Sequence, residues 1–134
     1  MTGTNGFAGL GVSPAVRLKL EKKKITIPTQ VQRVTIPAVL DGKNLVVQSP
    51  TGTGKTLAYL APLLTRVDKD SKDLEVLILV PSRELAVQVV KVARELAEEI
   101  KIAPVIGGTN RARLVETLRD KPKMVVGTPG RVLE

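Results

Sequence analysis

The sequence predicts an α/β fold, a mainly parallel sheet with helices on both faces, from three observations. After two leading helices, short apolar runs alternate with amphipathic stretches in the order β-α-β-α-β-α-β. One run, Glu75 to Val80 (EVLILV), has no polar alternation, as a strand buried on both faces requires. Gly-containing segments follow three of the runs, at the carboxyl ends of strands, where sheets of this type gather their function. Crossovers of this kind are right-handed and make the sheet parallel.

Each element has a local reason. Ser13-Pro14 before AVRLKLEKKK is a helix start, with Ser as N-cap and Pro at the first helical position. Its far end, Lys22-Lys23-Lys24, suits the negative pole of the helix. Thr29 caps a second helix, QVQRVTIPAVL, which Asp41-Gly42 stops. Asn44 to Gln48 (NLVVQ) reads as a short buried strand, and a Gly-rich turn from Ser49 to Gly54 leads into a helix from Lys55 to Val67. Asp68 to Asp73 is a polar loop, Glu75 to Val80 a strand and Arg83 to Ile100 an amphipathic helix. Ile102 to Ile106 is a third strand, Arg111 to Leu118 a linking helix and Met124 to Val126 a fourth strand.

Composition narrows the function. A chain of 134 residues with 43% hydrophobic residues can build one core. The absence of Cys and His removes disulfide scaffolds, thiol catalysis, Cys/His zinc sites and imidazole chemistry. With no secretory leader and no apolar run of spanning length, the expectation is a soluble intracellular, cytoplasmic protein. A formal net charge of +8 points to a polyanionic partner, or simply to a solubilising surface. The only aromatic residues are Phe7 and Tyr59, too few for a sheet that stacks bases.

The strongest motif is Ser49-Pro50-Thr51-Gly52-Thr53-Gly54-Lys55-Thr56, between a predicted strand and a predicted helix. Backbone N–H groups of such a turn cradle phosphate oxygens, Lys55 reaches the outer phosphates, and the Thr56 hydroxyl holds Mg²⁺. Ser49 stands where the strict pattern has its first Gly.

Further segments join it. Ile27-Pro28-Thr29-Gln30-Val31-Gln32 resembles the Q motif of DEAD-box RNA helicases, and Phe7 lies where that family places an upstream aromatic. The phosphate loop resembles the family's A-x-TGSGKT, in which the first Gly is usually absent. Residues 81–88, PSRELAVQ, resemble motif Ia; Gly107-Gly108 matches the GG element; and Thr128-Pro129-Gly130-Arg131 matches motif Ib. Lys24-Ile25, Ser82 and Thr53 are departures from the usual letters.

The resemblance implies a P-loop, RecA-like lobe over residues 1–134, with ATP and Mg²⁺ as cofactors and RNA as partner. Phe7, Thr29 and Gln32 would hold the adenine; Thr51, Gly52, Thr53, Gly54, Lys55 and Thr56 would hold the phosphates, with Lys55 and Thr56 catalytic and Thr56 on the metal. Pro81, Ser82, Arg83, Gly108, Thr128, Pro129, Gly130 and Arg131 would contact RNA through its backbone, with little sequence specificity. Residue-level alternatives are a core role for Phe7, a helix cap for Thr29, an ordinary polar helix position for Gln32, and surface ion pairs of Arg83 and Arg131 with Glu84 and Glu134.

Motifs II and III of that family should follow Arg131, and the sequence stops at Glu134. The expectation is therefore a lobe incomplete at its C-terminus, able to bind nucleotide but not to hydrolyse it. An apolar strand edge at Asn44–Gln48 would invite a homo-oligomer or completion by the remainder of a helicase. The competing functional readings are another P-loop enzyme, such as a small kinase, and a non-catalytic RNA- or ATP-binding fragment.

Overall fold

The structure, a computed structural model, describes residues 6–52, 54–107 and 110–133. Thr53, Gly108 and Glu134, named above, lie outside the described residues. The chain divides into two compact units, Met1–Arg66 and Val67–Glu134.

The first unit is helical. A 3₁₀ turn, Phe7–Leu10, which the sequence does not announce, ends at Gly11 and leads to α1 (Pro14–Lys22). Ser13 caps α1 by accepting from the Val16 N–H at 3.3 Å, while its own N–H donates to Thr65 Oγ1 at 3.1 Å. α2 (Gln30–Leu40) packs on α3 (Lys55–Arg66), and the Arg66 guanidinium donates to the Val39 carbonyl at 3.2 Å. Phe7, Val16, Leu20, Ile36, Leu60 and Leu64 form the buried interior.

The expected strand Asn44–Gln48 does not form. The segment is extended but joins no ladder among the described residues; Val46 is fully exposed, and Leu45 and Val47 are about as exposed as each other. The segment is apolar and β-branched, but it is neither paired nor buried: a strand exists only where a neighbour supplies its hydrogen bonds.

Among the described residues the second unit holds a three-stranded parallel sheet in the order β1-β3-β2, with β1 at Val76–Leu79, β2 at Ile102–Val105 and β3 at Met124–Gly127. β3 is central and buried at every position, pairing Met124 with both Val76 and Ile102 and Gly127 with both Leu79 and Val105. β1 departs from the expectation of two covered faces: it is an edge strand, and Leu77 and Leu79 are half exposed. α4 (Arg83–Leu96) ends before Ile100, because Ala97 leaves helical geometry at φ −149°. α5 (Arg111–Arg119) is capped by Asn110, which accepts from the Arg113 N–H at 2.8 Å, and α6 (Pro129–Val132) is a single turn.

Candidate functional site

The phosphate loop is built on the first unit. Gly52 and Gly54 take φ of +82° and +88°, a region costly for residues with a Cβ. A Cβ at Gly52 would meet nothing within 4 Å, so the loop is open on that side, whereas one at Gly54 would run into Gln32 Nε2 and approach Thr29 Oγ1 at 3.2 Å. Gly54 is thus required by conformation and by contact. Its carbonyl starts the α3 ladder by accepting from the Ala58 N–H at 3.1 Å. Thr51, Gly52 and Lys55 are exposed, so the N-terminus of α3 and its ammonium face outward together.

Thr29 and Gln32 lie beside this loop. They form a capping box: the Thr29 hydroxyl accepts from the Gln32 N–H at 3.5 Å, and Gln32 Oε1 accepts from the Thr29 N–H at 2.9 Å. Gln32 Nε2 then donates to the Gly54 carbonyl at 3.1 Å. Gln32 is 2% exposed, so its amide is not the ordinary surface group that sequence alone would suggest; it fastens the start of α2 to the end of the loop. Phe7 is 4% exposed and belongs to the core of this unit, with no ring face open.

Sequence reading missed one participant. Tyr59 lies one turn after Thr56 on α3, on the same side of the helix. Burial pushes the Tyr59 phenol above its ordinary value of 10.0, and the neighbouring Thr56 hydroxyl offsets part of that. The signal available in sequence was only the i, i+3 spacing of two hydroxyls.

The donor set suits a cation carried by phosphates. No cluster of three or more acidic, His or Cys side chains exists among the described residues, and a hydroxyl beside a phosphate cradle is how a Mg²⁺–nucleotide is held with few protein ligands. Lys55 and Thr56 are the residues that would hold that group.

The remaining motif residues collect in the second unit at the carboxyl ends of its strands. Pro81, Ser82 and Arg83 follow β1, Gly107 follows β2, and Thr128 to Arg131 follow β3. Backbone bonds tie the three ends: the Val80 N–H donates to the Gly127 carbonyl at 3.0 Å, and the Thr128 N–H to the Val105 carbonyl at 3.3 Å. At Gly127 a Cβ would meet the Val105 carbonyl at 2.6 Å and Val132 Cγ2 at 2.7 Å, so only glycine lets these strand ends approach. Ser82 caps α4 by accepting from the Leu85 N–H at 3.2 Å, while Pro81, Arg83, Pro129 and Gly130 are exposed. Arg131 is half-buried beside Val105, Arg111 and Leu114, lining a small cavity of about 130 Å³.

Comparison with known proteins agrees with this arrangement. Residues 29–134 match the family described as "DEAD/DEAH box helicase". The DEAD-box ATP-dependent RNA helicase CshB of Listeria monocytogenes is 38% identical over 98% of this chain and 31% of its own length. A DEAD box protein of Methanococcus jannaschii superposes with a TM-score of 0.88 at 34% identity, over 96% of this chain and 36% of that one. A variant of S. cerevisiae Dbp5 bound to RNA and ADP BeF3 superposes with a TM-score of 0.83 at 30% identity, over 96% of this chain and 33% of that one. The chain thus spans about a third of the length of these relatives. With the RecA-like α/β fold, the phosphate loop and the family match in agreement, the chain belongs to the DEAD/DEAH box helicase family.

Proposed function

We propose that this chain is the part of an ATP-dependent RNA helicase that binds adenine nucleotide and RNA, and that on its own it binds nucleotide without hydrolysing it. The observation that carries the reading is the bond from the Gln32 amide to the Gly54 carbonyl, which joins a base-reading group to the phosphate loop. A glutamine amide has two N–H groups and two acceptor lone pairs. Thr29 and Gly54 engage one of each, leaving one N–H and one lone pair, the complement of adenine N7 and the N6 amine.

In this reading Thr51, Gly52, Thr53 and Gly54 present N–H groups to the phosphates, Lys55 balances their charge, and Thr56 holds Mg²⁺. Bound metal supplies charge neutralisation at the phosphates. Phe7 reaches a base only if the 3₁₀ turn that buries it moves. Hydrolysis also needs a positioned water and acidic groups on the metal, and no acidic cluster is present among the described residues. The strand ends of the second unit, with Arg83 and Arg131, Pro81, Ser82, Gly108, Thr128, Pro129 and Gly130, contact the RNA sugar-phosphate chain in a sequence-independent way. Asn44–Gln48 pairs with a strand from a second copy or from the remainder of a helicase, and the protein acts in the cytoplasm.

The test is a titration of fluorescent ADP, with GDP as competitor and Gln32→Ala in parallel. Adenine-selective binding lost in the variant is expected. Equal affinity for ADP and GDP in a folded sample would overturn the reading.

A further inference from the structure

We propose that Asn44–Gln48 is an interaction surface for a second copy of this chain, the two segments pairing antiparallel about Val46. The inference rests on the strand-pairing reading above and narrows it to one partner and one register.

Among the described residues no hydrogen bond or ion pair engages Asn44, Leu45, Val46, Val47 or Gln48, so this run keeps its backbone N–H and C=O groups open. An open edge of this kind is a template for an added strand. Beside it lies an apolar groove of about 770 Å³, with Val31 and Val34 of α2 in its wall, and Val34 is exposed like Val46. Charge does not oppose a like partner. The five residues carry none, and Lys43 next to them has the Asp41 carboxylate at 3.9 Å.

The order of the letters selects a second copy. NLVVQ reads alike in both directions by side-chain class, an amide at each end and three apolar residues between. A two-fold interface sets one surface against itself, so this symmetry is what such a contact requires. With Val46 opposite Val46, Leu45 meets Val47, Asn44 meets Gln48 and Lys43 meets Ser49. Side chains alternate between faces, so one face of the pair is wholly apolar and the other sets the two valines between amide pairs. A shift of one residue sets Leu45 against Gln48 or Asn44 against Val47. A shift of two sets Lys43 against Val47 or Pro50 against Asn44. The contact is short, so the dimer is weak and builds up with concentration.

The chain has no Cys, so a single introduced thiol reports a single contact. Light scattering of the wild type is expected to rise from the mass of one copy to that of two as concentration increases. Directly opposed Cα atoms in an antiparallel pair lie about 4.5–5.5 Å apart, within disulfide reach, whereas diagonal ones lie about 7–8 Å apart, beyond it. Val46→Cys is therefore expected to form a disulfide-linked dimer on mild oxidation. Leu45→Cys alone and Val47→Cys alone should link at least about tenfold more slowly, and the two variants mixed should link as fast as Val46→Cys. Val46 is fully exposed, so its replacement leaves the fold intact, which far-ultraviolet circular dichroism checks. The mass of one copy at every concentration, a mass that climbs past two copies, or linkage of Leu45→Cys as fast as Val46→Cys each overturns the proposal. The first of these leaves only the remainder of a helicase as partner for the segment; the nucleotide reading is judged separately by the ADP titration.

Discussion

Gln32 has an amide with four hydrogen-bonding positions, and the fold occupies two of them with groups 3 and 22 residues away. The nearer partner was legible in the sequence, because Thr-x-x-Gln is the spacing of a capping box. The farther one was not, since a bond to Gly54 depends on α2 packing against the start of α3, which no local pattern encodes. Phe7 differs: a core role was one of the two readings its sequence position allowed, and the structure buries it. The two partners of Gln32 lead to separable effects. Glutamate at position 32 keeps an acceptor for the Thr29 N–H but turns an oxygen toward the Gly54 carbonyl where Nε2 now donates. Gln32→Glu is expected to destabilise the protein by about 1–3 kcal/mol in thermal or denaturant unfolding, the cost of a buried unmatched polar pair. Its ADP affinity should fall further than this stability loss alone accounts for. Unchanged stability would mean the Gly54 bond carries no energy.

Helix starts were the most readable elements, because capping residues act within three positions of themselves: Ser13 and Thr29 cap as expected, and Asn110, not singled out in the sequence, caps α5 by the same rule. Helix ends were less readable. α1 and α5 are each followed by a left-handed lysine, Lys24 at φ +62° and Lys121 at φ +56°, where glycine is the usual choice. The left-handed form costs a side-chain-bearing residue roughly 1–2 kcal/mol, and the greater freedom of unfolded glycine offsets about half of that. Lys121→Gly should therefore raise stability by about 0.5 kcal/mol, seen as a higher denaturation midpoint; a lower midpoint would show that the lysine makes a compensating contact. Asn44–Gln48 marks the opposite limit, where the letters spell a strand and the partner decides whether one exists. Because Val46 is fully exposed, Val46→Lys should leave the unfolding transition within about 0.5 kcal/mol of wild type. If this segment mediates association, the same change lowers the mass measured by light scattering, and an identical mass in both proteins would exclude it as the contact.

Across the whole molecule, charge and motifs are unevenly shared. Up to Arg66 the chain has nine Lys and Arg against two Asp and Glu; from Val67 onward it has twelve against eleven. Nearly all of the +8 therefore sits in the unit with the phosphate loop, and the unit whose strand ends match the RNA motifs is close to neutral. Composition revealed the excess but not its location relative to the fold. Under the RNA-binding role proposed above, this would divide the labour, with close contacts in one unit and long-range attraction from the other. Replacing Lys22, Lys23 and Lys24 with Gln should slow RNA association several-fold at low salt and have little effect above about 0.5 M, where charges are screened over a few ångströms. A salt-independent loss in stopped-flow measurements would place these lysines in direct contact instead. The central position of β3 has a further consequence, in time rather than in space. Among the described residues β1 and β2 each pair with β3, which follows both of them in the chain, and not with each other. As the chain is synthesised, β1 and β2 are both complete while the strand that joins them has yet to be made. The described sheet cannot assemble until residues 124–127 have left the ribosome, and an interruption before that point leaves two apolar segments for a chaperone to shield.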